Sequence, residues 1–166
     1  MGLFIITLLV VCFGFVVVRG APYVPSHRRQ LCRAFTELYD LTNSDILVDL
    51  GSGDGVVLRE ARRRGAGAIG YELNPILVLL SRLLSLGDSA VTVRTRDYLA
   101  LRSLPDGVTV VYAFTTSHSI EPIGRKLREW SRDRDLYLIS YGFTLSDKKS
   151  LRHTGPMYLY RFRNGA

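Results

Sequence analysis

Apolar residues along the chain fall into short runs punctuated by glycine, proline and charged clusters. Ile46, Leu47, Val48 and Leu50, interrupted only by Asp49, read as a short strand buried in a parallel sheet. The strand runs into Gly51-Ser52-Gly53-Asp54-Gly55, then a helix from Val56 to about Arg64, with Gly65 as its C-cap. A second strand, Ala68 to Tyr71, ends in Glu72. Asn74-Pro75 starts the next helix, an N-cap followed by proline at the first helical position. That helix is apolar nearly all round through Leu86, which predicts packing in a core or against a membrane. Further strands are expected at Val91–Thr95, Val108–Phe114, Leu136–Phe143 and Met157–Phe162, with a helix at Ile120–Trp130 despite Pro122 and Gly124. The stretch SDKKSLRHTG before the last strand reads as a polar loop. Upstream, Leu31, Ala34, Phe35 and Leu38 mark one face of a helix capped by Ser26 and ending near Leu41. The alternation of strands and helices predicts an α/β domain with a largely parallel sheet.

The run Met1 to Val18 carries no charged side chain. As a helix it spans roughly 27 Å at ~1.5 Å per residue, close to the ~30 Å hydrocarbon core of a bilayer. A cleaved signal peptide needs positive charge before its apolar run and small residues at the cleavage site. The N-terminus has no Lys or Arg, and Arg19 stands where small residues belong. The run also lacks the Arg-rich amphipathic pattern of a mitochondrial presequence. We therefore expect a single-pass anchor at 1–19, a linker and helix at 20–45, and one domain at 46–166. His27, Arg28, Arg29 and Arg33 follow the apolar run, so the positive-inside rule places that domain in the cytoplasm. Lys and Arg number 22 against 15 Asp and Glu. That excess suits anionic lipid, nucleic acid or an acidic protein, and beside an anchor the lipid reading of Arg28, Arg29 and Arg33 comes first. Cys12 and Cys32 have no metal-ligand spacing, and neither a metal site nor a disulfide is expected.

Strand, glycine turn, helix, strand and acid together form the layout of a nucleoside-binding βαβ unit. A dinucleotide fingerprint would place its third glycine at position 56, which is Val56. Here the glycines stand at 51, 53 and 55, and Asp49 precedes them. This D-L-G-S-G-D-G resembles the first motif of class I methyltransferases that bind S-adenosylmethionine (SAM). The resemblance implies that Asp49, Gly51, Ser52 and Gly53 underlie the methionine and ribose parts of SAM. It also implies that Glu72 accepts from both ribose hydroxyls, a task suited to two carboxylate oxygens. Asp97 would accept from the adenine amino group, with Tyr98 flanking the ring. The plainer readings are a structural glycine turn in another α/β domain and an ordinary loop acid at Asp97.

The whole pattern resembles the membrane-anchored protein-lysine methyltransferases that modify the ATP synthase c subunit and the adenine nucleotide translocase. More distantly it is similar to histone lysine methyltransferases that lack a SET domain. The features that carry this likeness are the apolar N-terminal run, P-Y-V-P-S at 22–26, V-D-L-G-S-G-D-G at 48–55 and G-Y-E-L-N-P at 70–75. It implies a Rossmann-like class I methyltransferase sheet, mostly parallel with a short final antiparallel strand, preceded by one transmembrane helix. It also implies that Tyr23, Val24, Pro25 and Ser26 fold over the methionine end of SAM, and it adds Asn74 to the cofactor set. The expected partners are a bilayer and a protein substrate with a lysine near it. In a eukaryote the alternative location is the mitochondrial inner membrane. TTSHSIEPIG after the fourth strand departs from the family pattern and leaves substrate choice open.

Methyl transfer from SAM asks the protein chiefly to align donor and acceptor. A lysine acceptor must be neutral, and a dry aromatic channel favours that by desolvating the ammonium. Tyr112, Phe114, Tyr141 and Phe143, at the ends of the fourth and fifth strands, are the candidate channel walls; core packing is the alternative for each. His118 and Glu121 are candidates to take a proton and to orient the amine, or are plain polar loop residues. Tyr112-Ala113-Phe114-Thr115 replaces the N-P-P-Y or D-P-P-Y of many base-methylating enzymes, which makes nucleic acid the weaker partner. A small-molecule or RNA methyltransferase and a SAM-binding protein without turnover are the alternative functions.

Overall fold

The computed structural model describes Gly2, residues 28–114 and residues 116–164. Apart from Gly2, the Met1–Val18 run and the residues up to His27 lie outside them. Among the described residues no helix is long and apolar enough to cross a membrane.

Helix α1 (Arg28–Arg33) continues into a π-helical turn, Ala34–Leu38. Then come β1 (Ile46–Leu50), α2 (Val56–Arg63), β2 (Gly67–Glu72), α3 (Pro75–Leu84) and β3 (Val91–Thr95). A single turn at Tyr98–Ala100 precedes β4 (Val108–Phe114), α4 (Ser117–Trp130) and β5 (Leu136–Tyr141). The chain ends with β6 (Arg152–Thr154) and β7 (Met157–Phe162). The strands form one sheet of order β3-β2-β1-β4-β5-β7-β6. β1 to β5 are parallel, β7 runs antiparallel to β5, and β6 antiparallel to β7. Strand order reverses between β1 and β4, and ligands of such sheets bind outside the strand ends at that reversal.

Two apolar layers clamp the sheet. Leu31, Phe35 and Leu38 from the first helical segment join Leu58 and Val78 over Leu47, Val110 and Ile139 on one face. Ile120, Ile123, Leu127 and Trp130 of α4 cover Val48, Val111 and Leu138 on the other. Full burial of each large side chain stabilises by about 1.5–3 kcal/mol. α1 is fixed to α2 by buried Glu60, which accepts from Arg28 Nε at 3.2 Å and Arg63 Nη1 at 2.7 Å. At the N-terminal end of β1, Asp45 accepts from Tyr39 Oη, Thr109 Oγ1, Thr42 N and Thr42 Oγ1 at 2.7–2.9 Å. Burial pushes its carboxyl up, but the hydrogen bonds outweigh that and hold it below the usual carboxylate range. Burial, then Asp45, pushes the Tyr39 hydroxyl up to about 12.

Three expectations need correction. The final strand is not a lone antiparallel one: β7 inserts between β5 and β6, and Arg152–Thr154 of the expected loop is a strand. β5 stops at Tyr141 because Gly142 turns away with φ +88°. The loop that follows packs on α4 and β7: Ser146 N donates to Glu121 Oε1 (2.8 Å), and Leu145 N to Tyr160 Oη (3.1 Å). The helix expected to run evenly to Leu41 widens into the π-helical turn, where Tyr39 N reaches back to Ala34 O at 3.1 Å.

Candidate active site

The glycine turn hangs on the end of β2. Gly51 N and Ser52 N both donate to Tyr71 O, at 2.8 and 3.0 Å. Gly51 has φ +94°, which disfavours any side chain, and beyond its chain neighbours a Cβ there would meet no atom of the described residues within 4 Å. The backbone is therefore bare on the side that faces open space. Gly55 plays the opposite part: a Cβ on it would collide with Ser81 Oγ of α3, so its absence lets α2 and α3 close together. Asp54 braces the turn, accepting from Val56 N at 3.1 Å and pairing with Arg59.

Glu72 closes the turn from the far side. Its Oε2 accepts from Gly53 N at 2.9 Å, and its Oε1 accepts from Leu73 N and Asn74 N at 2.8 Å each. Asn74 in turn caps α3, its side chain accepting from Ile76 N at 3.0 Å. Backbone donors thus occupy three of the roughly four lone-pair sites of this carboxylate. Asp49 lies buried beside them. Burial first, then the charges of Glu72 and Asp54, push its carboxyl well above the usual range. Ser52 Oγ is buried with no hydrogen-bond partner among the described residues.

At the end of β3, Asp97 is exposed and accepts from Leu99 N at 2.8 Å, which fixes the single turn that follows. Tyr98 is half-buried; burial, then the charges of Asp97 and Glu72, push its hydroxyl up. Phe114 and Tyr141, ending β4 and β5, pack with ring centroids 4.4 Å apart. Tyr141 Oη donates to Gln30 Oε1 of α1 at 2.7 Å, which ties this pair to the helix upstream of the sheet.

Of the four candidate wall residues, the structure brings Phe114 and Tyr141 together. Tyr112 is buried in the core, edge-on to Phe35, and Phe143 is exposed beyond Gly142. His118 is exposed at the start of α4, and Glu121 serves the loop after β5. Tyr23, Val24, Pro25 and Ser26 lie outside the described residues. Gln30 and the Asp54–Arg59 brace escaped the sequence reading; the only signal for the brace was an acid inside the glycine run with an arginine five residues on.

No protein-family model matches the chain. Over 61 residues it is 46% identical to the lysine N-methyltransferase of the ATP synthase c subunit from Xenopus laevis, covering 37% of this chain and 26% of that protein. It is 32% identical over 101 residues to ribosomal RNA small subunit methyltransferase A of Thermotoga petrophila, 60% of this chain and 38% of that one. An RNA methyltransferase from Salinibacter ruber, solved in complex with S-adenosyl-L-homocysteine, superposes with a TM-score of 0.72 at 27% identity, over 84% of this chain and 92% of that chain. This chain has the class I SAM-dependent methyltransferase fold. It spans 24% to 39% of the length of the curated relatives it matches.

The residues present fit the SAM of this methyltransferase fold. The open space over Gly51 admits a ligand to bare backbone. Asp49, Glu72 and Asp54 make one side of the site acidic, and a ligand carrying a sulfonium and an ammonium offsets the cost of the buried Asp49 carboxylate. Glu72 keeps about one free lone-pair site, so one ribose hydroxyl finds an acceptor directly and a second shares with a backbone donor.

Proposed function

We propose that the chain transfers a methyl group from SAM to the side-chain amine of a lysine on a membrane-associated protein. The observation that carries this reading is the aromatic pair Phe114 and Tyr141 at the ends of β4 and β5, of which β4 pairs directly with β1, the strand that feeds the glycine turn. Bound SAM supplies an electrophilic methyl on a sulfonium. Glu72 and the backbone from Gly51 to Gly53 orient the donor, and Asp49 complements its positive charge. Phe114 and Tyr141 exclude water from the approaching amine, which lowers its pKa and keeps its lone pair available. Gln30 holds the Tyr141 ring by its hydroxyl. A lysine deprotonated by desolvation needs no dedicated base, which agrees with the exposure of His118 and the engagement of Glu121.

Support for lysine comes from the stretch shared at 46% identity with a lysine N-methyltransferase and from Tyr112-Ala113-Phe114 in place of N-P-P-Y. The membrane half rests on the uncharged Met1–Val18 run, read as an N-out anchor with the domain in the cytoplasm. Of the arginines assigned to lipid, Arg28 pairs with Glu60 and Arg33 with Glu37, which leaves Arg29 as the clearest contributor. A second reading, methylation of an RNA base, is favoured by the longer match to a ribosomal RNA methyltransferase.

The test is to incubate the full chain with methyl-labelled SAM and, separately, with membranes and with ribosomes from the same cells. Label on lysine of a membrane protein supports the proposal. Label confined to RNA establishes the second reading, and label in neither points to a SAM-binding protein without turnover.

A further inference from the structure

Helix α3 is built inside out. Its inward residues are Val78 and Ser81, and the hydroxyls of Ser81 and Ser85 are buried without hydrogen-bond partners among the described residues. Its leucines point the other way: Leu79 and Leu83 are each 59% exposed, and Ile76, Leu80 and Leu84 are exposed beside them. At ~100° per residue these five positions fall within an arc of roughly 140°. That is the width of an apolar stripe meant for burial, here turned to solvent. Contact with Gly55 explains why a serine is inside, since only a small side chain fits there. Nothing among the described residues explains the leucines outside.

We propose that this face of α3 docks on an anionic lipid bilayer, inserting its leucines among the acyl chains. Charge selects the occupant. The lone charged residue of α3, Arg82, borders the stripe, its guanidinium also donating to Val93 O. Among the described residues no ion pair neutralises Arg29, Arg64 or Arg82 in the helical layer that α3 shares with α1 and α2. In the same layer Arg28 and Arg63 share one carboxylate, that of Glu60. A second copy docked on this face would oppose two surfaces of like charge. A bilayer offers anionic headgroups around a deformable apolar phase, and a convex helical ridge enters it without a matching groove. The surface needs neither the methyl-transfer reaction nor the Met1–Val18 anchor.

The experiment places a tryptophan at position 83 of the full chain. The one native tryptophan, Trp130, is buried on the opposite face of the sheet and serves as an internal reference. With vesicles of phosphatidylglycerol and phosphatidylcholine, the emission of Leu83→Trp shifts to the blue, and acyl-brominated lipid quenches it while the parent protein's emission holds. Vesicles of phosphatidylcholine alone give a smaller effect. Leu79→Trp behaves in the same way and guards against a misfolded first variant. Unchanged emission while the protein co-floats with vesicles overturns the proposal, because the chain is then held elsewhere. A blue shift without vesicles also overturns it: one that grows with protein concentration assigns the face to a second copy, and one that does not assigns it to the chain's own apolar segment.

Discussion

Gly53 N donates to Glu72 Oε2 at 2.9 Å, joining the glycine turn after β1 to the acid that ends β2. The two residues stand nineteen positions apart in sequence, and parallel pairing of β1 with β2 brings their strand ends level. With Leu73 N and Asn74 N on the other oxygen, the carboxylate is oriented before any ligand arrives. Such preorganisation spares a ligand part of the ordering cost of binding.

Asp49 predicts a pH dependence with a definite sign. Its carboxyl is raised in the folded chain, by burial first and then by Glu72 and Asp54. Between about pH 4, where an unfolded aspartate titrates, and the raised value, the native state binds the extra proton. Stability therefore falls as pH rises through that window. Thermal melts of Asp49→Asn should lose this fall and gain a few degrees over the parent at pH 8, while SAM stabilises the variant less than the parent. Parallel melting curves of parent and variant across pH would contradict the assignment.

Asp45 predicts the reverse at the other end of β1. Its carboxyl is held below the usual range by Thr42, Thr109 and Tyr39 against the upward pull of burial. The stability it contributes is complete above about pH 4 and is lost as pH falls through its depressed value. Asp45→Ala leaves buried donors unpaired, a cost of about 1–3 kcal/mol at neutral pH. Denaturant melts at pH 7 and pH 3 should show that difference shrinking in acid. SAM affinity should be unchanged, since Asp45 lies away from the glycine turn.

Tyr141→Phe removes the hydroxyl that donates to Gln30 and keeps the ring against Phe114. If the pair lines the path of the acceptor, kcat/KM for the methyl acceptor falls by about fivefold to tenfold, the loss of roughly 1 kcal/mol of positioning. The SAM dissociation constant stays where it was. Steady-state kinetics and equilibrium titration on the same preparation separate the two effects. A change confined to SAM affinity would move Tyr141 into the cofactor site.

Much of this architecture is legible in the sequence. β1, β3, β4 and β7 stand where β-branched and apolar runs bounded by glycine or polar clusters place them. The spacing from Gly51 to Glu72 placed the turn and the acid at neighbouring strand ends, but did not show the backbone donors that hold the acid. β6 escaped because Arg152, His153 and Thr154 have no apolar period and pair only through β7. The direction of α3 was hidden by leucines all round; contact with Gly55, a tertiary fact, turns Ser81 inward. Tyr112 and Phe114 share a strand and a face, so period alone could not separate them. Phe35 covers the first, while the second stands at the strand end against Tyr141.

Calorimetric titration of the full chain with SAM decides whether Glu72 and the glycine turn form the cofactor site. Binding at one site per chain is expected, weakened in Glu72→Ala by about 1–3 kcal/mol, roughly fivefold to over a hundredfold, because ribose hydroxyls lose their acceptor and Gly53 N its anchor. Equal SAM affinity in the parent and in a folded Glu72→Ala variant would contradict it.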